Sequence, residues 1–173
     1  MFLVSYPFVW LSRIFHCRGF GIQSPTDYWM VRYVINEHWP YYLYDNVGEN
    51  DNWLERKLGR LYFRLSNWRQ PNVVETDGYQ KYFQAGCKSL KFGPSSELIR
   101  LDINSDDYQK KILSIFNKVE DSTVLIIEGI NKDKRFWQFV KEDGRTSITF
   151  DLYYCGIVFF DKKRHKMHYV INF

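Results

Sequence analysis

Residues 122–130 read STVLIIEGI, and this almost uninterrupted apolar run decides the fold class. Such a run is typical of a strand that is buried on both faces of a parallel sheet. ELIRLDI (97–103) and VVET (73–76) are two further strand candidates. Amphipathic helices are predicted over SDDYQKKILSIFNKV (105–119) and DKRFWQFVKEDG (133–144). Strands that alternate with helices in this way predict an α/β fold.

The C-terminal stretch, residues 146–173, is strand-rich to its last residue. The polar connector DKKRHK (161–166) separates IVFF (157–160) from HYVINF (168–173), which predicts an antiparallel hairpin of these two strands. Alternating strands and helices followed by such a hairpin indicate an α/β three-layer sandwich.

The first 70 residues are predicted to be mainly helical. Ser24 precedes Pro25, an N-cap residue followed by proline at the first helical position. WLERKLGRLYFRLSNWR (53–69) repeats leucines at spacings of four and three residues, which is one helix face. We therefore divide the chain into an N-terminal helical region, residues 1–70, and an α/β domain, residues 71–173.

The composition indicates a folded chain with a mild positive charge. Of 173 residues, 19% are aromatic, and the net charge of +4 permits an acidic partner without requiring one. Cys17, Cys87 and Cys155 form no CxxC pair, so a reducing, cytoplasmic location is expected. The apolar start MFLVSYPFVWLSRIF (1–15) is shorter than the ~20 residues that span a bilayer. Docking of this segment on the domain is favoured over contact with a membrane surface, because lysine and arginine are sparse in it.

A row of arginines on the predicted 53–69 helix allows two interpretations. Arg56, Arg60 and Arg64 recur every four residues, either as a solvated basic face or as a phosphate-binding stripe. Tyrosines just before this helix are expected to pack on a loop, although they would also suit stacking on a base. These tyrosines are Tyr41, Tyr42 and Tyr44. The spacing of the four histidines predicts no metal site.

Two motifs in the N-terminal half resemble those of a known family. GFGIQSPTDY (19–28) is similar to a segment like G-[HF]-G-[IV]-H-S-P-F, with Gln23 in place of the histidine. LYFRLSNW (61–68) is similar to a helix end like L-[LF]-[FY]-R-L-x-N. Both resemble bacterial class I S-adenosylmethionine-dependent methyltransferases, in their O-methyltransferase-like branch.

The C-terminal half resembles this family most strongly. TFDLYYCGIVFF (149–160) and KMHYVINF (166–173) are similar to its ending, T-[IV]-D-L-[FY]-x-x-G-[LI]-V-F-F and K-x-H-[FY]-V-I-x-F. LIRLDIN (98–104) and VLIIEGINKD (124–133) resemble two of its strands, with Glu128 in place of an aspartate. The resemblance implies a Rossmann-like methyltransferase sandwich with a C-terminal antiparallel hairpin.

VVETDGYQK (73–81) resembles the cofactor turn of this family in a degenerate form. That turn reads like [IV]-[LV]-E-[LI]-G-x-x-x-G; here Glu75 is kept and the glycine spacing is lost. Because glycine lets a backbone approach a ligand closely, the resemblance implies that Glu75, Asp77 and Gly78 are a vestigial cofactor site. About 20 residues separate Glu75 from the next long strand, too few for two further strand–helix units of ~30 residues each. We therefore expect a shortened domain.

Asp102 and Glu128 stand at the predicted carboxyl ends of strands, where open α/β sheets bind ligands. They are the candidate catalytic residues, and capping of the following helices explains them equally well. In an active enzyme, the residues of the degenerate turn would hold S-adenosylmethionine, and Asp102 or Glu128 would orient the acceptor hydroxyl.

We interpret the chain as a degenerate methyltransferase-like protein that has lost cofactor binding and catalysis and acts as a binding or structural protein. An active S-adenosylmethionine-dependent O-methyltransferase with a reshaped site is one alternative. A nucleic-acid or acidic-surface binding module is another, which the even spread of charge disfavours. Lost strands expose sheet edges, which predicts a homo-oligomer.

A site without a ligand is expected to be filled, because an empty apolar hollow forfeits packing contacts. We predict that a nearby aromatic ring takes the place of the cofactor. The candidate rings are Tyr79, Tyr82, Phe83, Phe20 and Tyr28.

Overall fold

A seven-stranded sheet forms the centre of the protein. The computed structural model describes residues 5–44 and 47–173. The strands are β1 Val73–Glu75, β2 Lys91–Phe92, β3 Leu98–Asp102, β4 Val124–Glu128, β5 Ile148–Asp151, β6 Cys155–Phe159 and β7 Met167–Val170. Their order is β2-β1-β3-β4-β6-β5-β7, and every strand except β6 runs in the same direction.

Helices cover both faces of the sheet and give the predicted three layers. The α-helices are α1 Ser5–Ser12, α2 Pro25–Met30, α3 Trp53–Arg69, α4 Gln80–Gly86, α5 Tyr108–Lys118 and α6 Lys134–Glu142. A π-helical turn, Val31–Ile35, continues α2, and 3-10 segments cover Ile14–Gly19 and Tyr42–Tyr44. The fold is mixed α/β with a mostly parallel sheet, consistent with a Rossmann-like arrangement.

Two hydrophobic cores lie on the two faces. One packs α2, α3 and α4 on the sheet, and its members include Val34, Leu61 and Val74. The other packs α5 and α6 on the opposite face, around Ile112 and Trp137. Residues before and after position 70 therefore contribute to a common core.

The predicted hairpin of IVFF with HYVINF is wrong. β6 pairs antiparallel with β4 and β5, so the hairpin is formed by β5 and β6 around the turn at residues 152–154. β7 lies parallel to β5 at the edge of the sheet. The physical reason is burial: β6 is buried along most of its length and needs a neighbour on each side, whereas β7 is partly exposed and suits an edge.

The segment between β1 and β3 is short, as predicted. It holds one helix, α4, and one two-residue strand, β2. Because β2 and β3 flank β1 in the sheet, the connection at residues 93–97 crosses β1. The chain thus passes from β1 to β2 on one side and then returns across β1 to β3 on the other side. The direction in which successive strands are added to the sheet therefore reverses beside β1.

The described part of the N-terminal segment, residues 5–15, docks on the sheet through Arg13, as the sequence favoured, and residues 1–4 lie outside the described residues. Arg13 donates to the Asp151 carbonyl oxygen at 2.9 Å and pairs with its carboxylate at 2.7 Å. The predicted N-cap is confirmed, because the Ser24 hydroxyl accepts a hydrogen bond from Asp27 N–H. Phe8 and Phe15 nevertheless remain exposed. No helix in the described ranges is both long and apolar enough to cross a bilayer.

Helices α3 and α4 approach closely because two glycines face the contact. A Cβ on Gly59 would overlap the ring of Tyr82, and a Cβ on Gly86 would overlap the carbonyl oxygen of Phe63. The overlap at Gly59 is with a side chain, whereas the overlap at Gly86 is with a helical carbonyl, which moves only with the backbone. Gly86 is therefore the position where the helix pair depends most on the absence of a side chain.

We expect Gly86→Ala to lower the free energy of unfolding by at least ~1 kcal/mol. A clash with a backbone carbonyl belongs to the upper half of the ~1–3 kcal/mol that overpacking costs, and the higher helix propensity of alanine returns up to ~1 kcal/mol. Urea denaturation followed by circular dichroism measures the change. Gly144→Ala is the matched control, since its Cβ would meet open space. Equal stability of the two variants would contradict this account.

Candidate functional site

The carboxyl ends of β1, β3 and β4 meet at one end of the sheet, beside the point where the strand order reverses. Open α/β sheets bind ligands at such points. Arg100 of β3 and Glu128 of β4 project toward α3, because each lies two residues after a residue of the core under that helix, Leu98 and Ile126, and so on the same face of the sheet. This end of the sheet therefore places ionisable side chains beneath α3.

A buried guanidinium is the centre of a group that we call the strand-end cluster. Its members are Arg100, Asp77, Asp102, Glu128, Tyr62 and Tyr79. The Arg100 side chain is 3% exposed. Its Nε and Nη2 atoms donate to Glu128 Oε2 at 3.0 and 2.7 Å. Nη2 also donates to Asp102 Oδ2 at 3.2 Å, so one guanidinium brings the two candidate catalytic residues together.

Two phenols complete the cluster. Tyr62 of α3 donates its hydroxyl to Glu128 Oε2 at 2.7 Å, and the Tyr79 hydroxyl lies 3.4 Å from Oε1. The Tyr79 ring covers the guanidinium, with 4.9 Å between its centroid and Arg100 Cζ. Burial, and then the Glu128 carboxylate, raises the pKa of both phenols, so both remain hydrogen-bond donors at neutral pH.

The cluster is better suited to holding structure than to moving protons. The Glu128 carboxylate is occupied by Arg100 and Tyr62. Cys155 is the register partner of Glu128, and burial followed by nearby carboxylates raises its pKa well above the usual range. Because the thiolate is the reactive form of cysteine, this buried thiol is a poor nucleophile.

The turn after β1 is closed by its own side chains. Thr76 Oγ1 accepts from Gly78 N–H at 3.2 Å and donates to the Gly78 carbonyl oxygen at 2.7 Å. Asp77 Oδ1 accepts from Arg100 Nη1 at 2.5 Å. Tyr79 follows with φ of +58°, a left-handed conformation that costs a non-glycine residue free energy. The strand-end cluster holds the turn in this shape.

Glu75 and Asp102 also fix loops. Glu75, predicted as part of the vestigial cofactor site, accepts from Ser95 N–H at 3.0 Å and pairs with Lys118 of α5. Asp102 Oδ1 accepts from the backbone and side-chain N–H groups of Asn104 at 2.8 and 2.7 Å. Of the three turn residues predicted to be vestigial, Asp77 and Gly78 thus lie against Arg100, while Glu75 anchors a neighbouring loop.

Among the candidate rings, Tyr79 is the one that lies over the Arg100 guanidinium. Tyr82 and Phe83 are buried between α4 and the core. Phe20 is 78% exposed and Tyr28 is also exposed, so neither fills this end of the sheet. That Tyr79 replaces a cofactor group stays a prediction.

A cavity of about 300 Å³ opens beside the β1 turn, on the side of α5. Its walls include Asp77, Arg100 and Lys111. Asp102 and Glu128 are not part of its walls, so this cavity does not join the two candidate catalytic residues.

The three arginines of the row on α3 have different environments. Arg64 is buried, and its Nε and Nη2 atoms donate to carbonyl oxygens at the end of the π-helical turn at 2.6 and 2.8 Å. Arg56 donates to a loop carbonyl oxygen at 3.0 Å. Arg60 stacks on Tyr44, with 4.8 Å between Cζ and the ring centroid. The interpretation as a solvated basic face is therefore wrong for Arg64.

The tyrosines before α3 also differ. Tyr41 and Tyr44 pack on Phe63, with ring centroids 5.0 and 5.2 Å apart, as expected of loop packing. Burial, and then the hydrogen bond to Glu37, raises the pKa of Tyr41 to about 12. Tyr42, by contrast, is 75% exposed. Among residues 5–44 and 47–173, His, Cys, Asp and Glu side chains form no cluster of metal-ligand type.

Sequence reasoning missed Arg100 and Tyr62. A signal was present, since LIRLD (98–102) is a buried strand with an arginine at its centre, and buried charges require partners. Tyr62 had no comparable signal, because a tyrosine on an apolar helix face usually packs in a core.

We expect Arg100→Met to lower the free energy of unfolding by ~3 kcal/mol or more, because it leaves the Glu128 carboxylate buried without its cation. The double variant Arg100→Met/Glu128→Gln should lose at least ~1 kcal/mol less than the sum of the two single variants. Urea denaturation at neutral pH measures all three. As a control, Lys110→Met removes an exposed ion pair with Asp107 and should cost under ~1 kcal/mol. Strictly additive losses at Arg100 and Glu128 would refute the coupling.

No protein-family model matches the chain, and neither does any curated protein or solved structure.

Proposed function

We propose that the chain is a methyltransferase-like α/β protein that has lost cofactor binding and catalysis and acts as a binding or structural protein. The main support is the position of Arg100 and Tyr79 between the ends of β1, β3 and β4. In an open α/β sheet, a cofactor is held at this place. Here a guanidinium, phenols and three carboxylates bind one another instead.

The residues of the β1 turn do not suit S-adenosylmethionine. A cofactor turn needs a backbone that the ligand can approach closely. Here the Gly78 N–H already donates a hydrogen bond to the Thr76 hydroxyl, and the Asp77 carboxylate already pairs with Arg100. A ligand over this turn would have to displace Arg100 and leave Glu128 without its cation, which is costly in a buried site.

The methyltransferase-like scaffold is supported by the C-terminal part of the sheet. The resemblance implies a parallel sheet that ends in an antiparallel hairpin. β5 and β6, and not the predicted pair IVFF and HYVINF, form an antiparallel hairpin beside the parallel strands β1, β3 and β4. The scaffold and the occupied strand ends together favour a non-catalytic role over an active enzyme, because methyl transfer depends on positioning two reactants in one open site.

We expect S-adenosylmethionine and S-adenosylhomocysteine to give no heat in calorimetric titration and no thermal shift at millimolar concentration. A functional methyltransferase titrated with the same ligand batches is the control. Tyr79→Gly removes the covering ring at a position whose positive φ suits glycine, and it tests whether the ring alone excludes the ligand. Saturable binding to the unmodified protein would favour the active methyltransferase instead.

We also propose that the protein forms a homo-oligomer through an edge of its sheet. The two edge strands are β2 and β7, and Met167 and His168 of β7 are exposed. Uncovered edges pair readily with a second copy. Sedimentation velocity should show a species larger than a monomer, and Met167→Lys should shift it toward the monomer if β7 is the paired edge. A monomer at high protein concentration would contradict this proposal.

A further inference from the structure

A second cavity, of about 430 Å³, lies between α3, the π-helical turn and the C-terminus. We call it the α3 pocket. Its walls combine cationic and aromatic side chains. The cationic ones are Lys57, Arg60 and Arg64, and the aromatic ones include Trp39, Tyr42, Tyr44, Trp53 and Phe173. Two features that the sequence presented separately, the arginine row and the tyrosine group, thus meet in one place.

The two arginines of the pocket form no ion pair with a carboxylate in the part of the chain that the structure describes. Arg64 is buried and hydrogen-bonded to neutral groups, two carbonyl oxygens and the Tyr44 hydroxyl. The Nε atom of Arg60 is buried without a hydrogen-bond partner among the described residues. A buried donor without an acceptor costs free energy, and an anion bound by the same guanidinium would offset part of this cost through charge-assisted hydrogen bonds.

Cationic side chains outnumber acidic ones in the wall of the pocket. Burial, and then the Arg64 guanidinium, lowers the pKa of Lys57 to about 8. The pKa of His38, also in the pocket wall, is lowered by burial and then by Arg18 and Arg64. Glu37 is the acidic side chain in the wall, and it accepts a hydrogen bond from Tyr41 at 2.7 Å. An anion in the pocket would therefore meet more cations than carboxylates.

Aromatic rings at the rim have open faces. Trp39 is 73% exposed and Tyr42 is 75% exposed. Neither ring makes an aromatic contact with another side chain of the described ranges. Exposed rings beside arginines are the arrangement that proteins use to stack a planar base while a cation holds its phosphate.

We propose that the α3 pocket binds a small planar ring that carries a phosphate, with a nucleoside monophosphate as the ligand class. Arg60 and Lys57 hold the phosphate, and Trp39 or Tyr42 stacks on the ring. The volume fits, because pockets for small ligands start at ~300 Å³. This proposal does not depend on the state of the strand-end cluster, which lies at a different surface of α3.

Calorimetry with the full chain and adenosine 5′-monophosphate tests the proposal, with adenosine and inorganic phosphate as the two half-ligands. We expect saturable binding of the monophosphate that exceeds either half-ligand by at least ~10-fold and weakens with salt. Arg60→Gln should weaken it by at least ~10-fold, because it removes a charge-assisted hydrogen bond. Trp39→Ala removes an exposed ring and should also weaken binding of the monophosphate.

Arg56→Gln is the matched control, because Arg56 lies one turn away on α3, bonds a loop carbonyl oxygen and is not part of the pocket wall. It should leave the affinity unchanged within ~2-fold. The proposal is overturned by the absence of saturable binding, by equal affinity in Arg60→Gln, or by binding of single-stranded RNA without binding of the monophosphate. Heat from S-adenosylmethionine that persists in Arg60→Gln would report binding at the strand-end cluster and not in the α3 pocket. This measurement therefore distinguishes a failure of the proposed loss of cofactor binding from a failure of the α3 pocket proposal.

Discussion

The buried guanidinium of Arg100 is the interaction on which this end of the molecule depends. It lies in the middle strand of three and pairs with a carboxylate that follows or ends each of them, Asp77, Asp102 and Glu128. A buried cation of this kind cannot be left unpaired without a large cost. The β1 turn and the ends of β3 and β4 are therefore fixed relative to one another by charge as well as by backbone hydrogen bonds.

Fixing the strand ends in this way has a functional consequence. A ligand site at the ends of parallel strands needs polar groups that stay available to the ligand. In this protein those groups satisfy one another, and a tyrosine ring covers them. The interactions that stabilise the sheet therefore compete directly with the binding of a cofactor at the same place.

Helix α3 connects this end of the sheet with the α3 pocket. It contributes Tyr62 to the strand-end cluster on its buried face. On an adjoining face it presents Lys57, Arg60 and Arg64 to the pocket. The helix is held firmly, since a capping box at Asn52 fixes its start and glycines allow α4 to pack closely. A rigid helix is a suitable base for both groups, because it keeps their side chains in fixed positions.

The sequence by itself determined the α/β class, the positions of β1, β3, β4 and α3 and the short segment after β1, since apolar periodicity and chain length are local properties. It also placed Asp102 and Glu128 at the carboxyl ends of strands. It could not identify the partner of β6, because strand pairing depends on which strands need burial on both sides, and the predicted hairpin was wrong for this reason. Only the tertiary structure revealed Arg100 as the centre of the cluster and joined the arginine row to the tyrosines, because both groupings arise from contacts between residues that are distant in the chain.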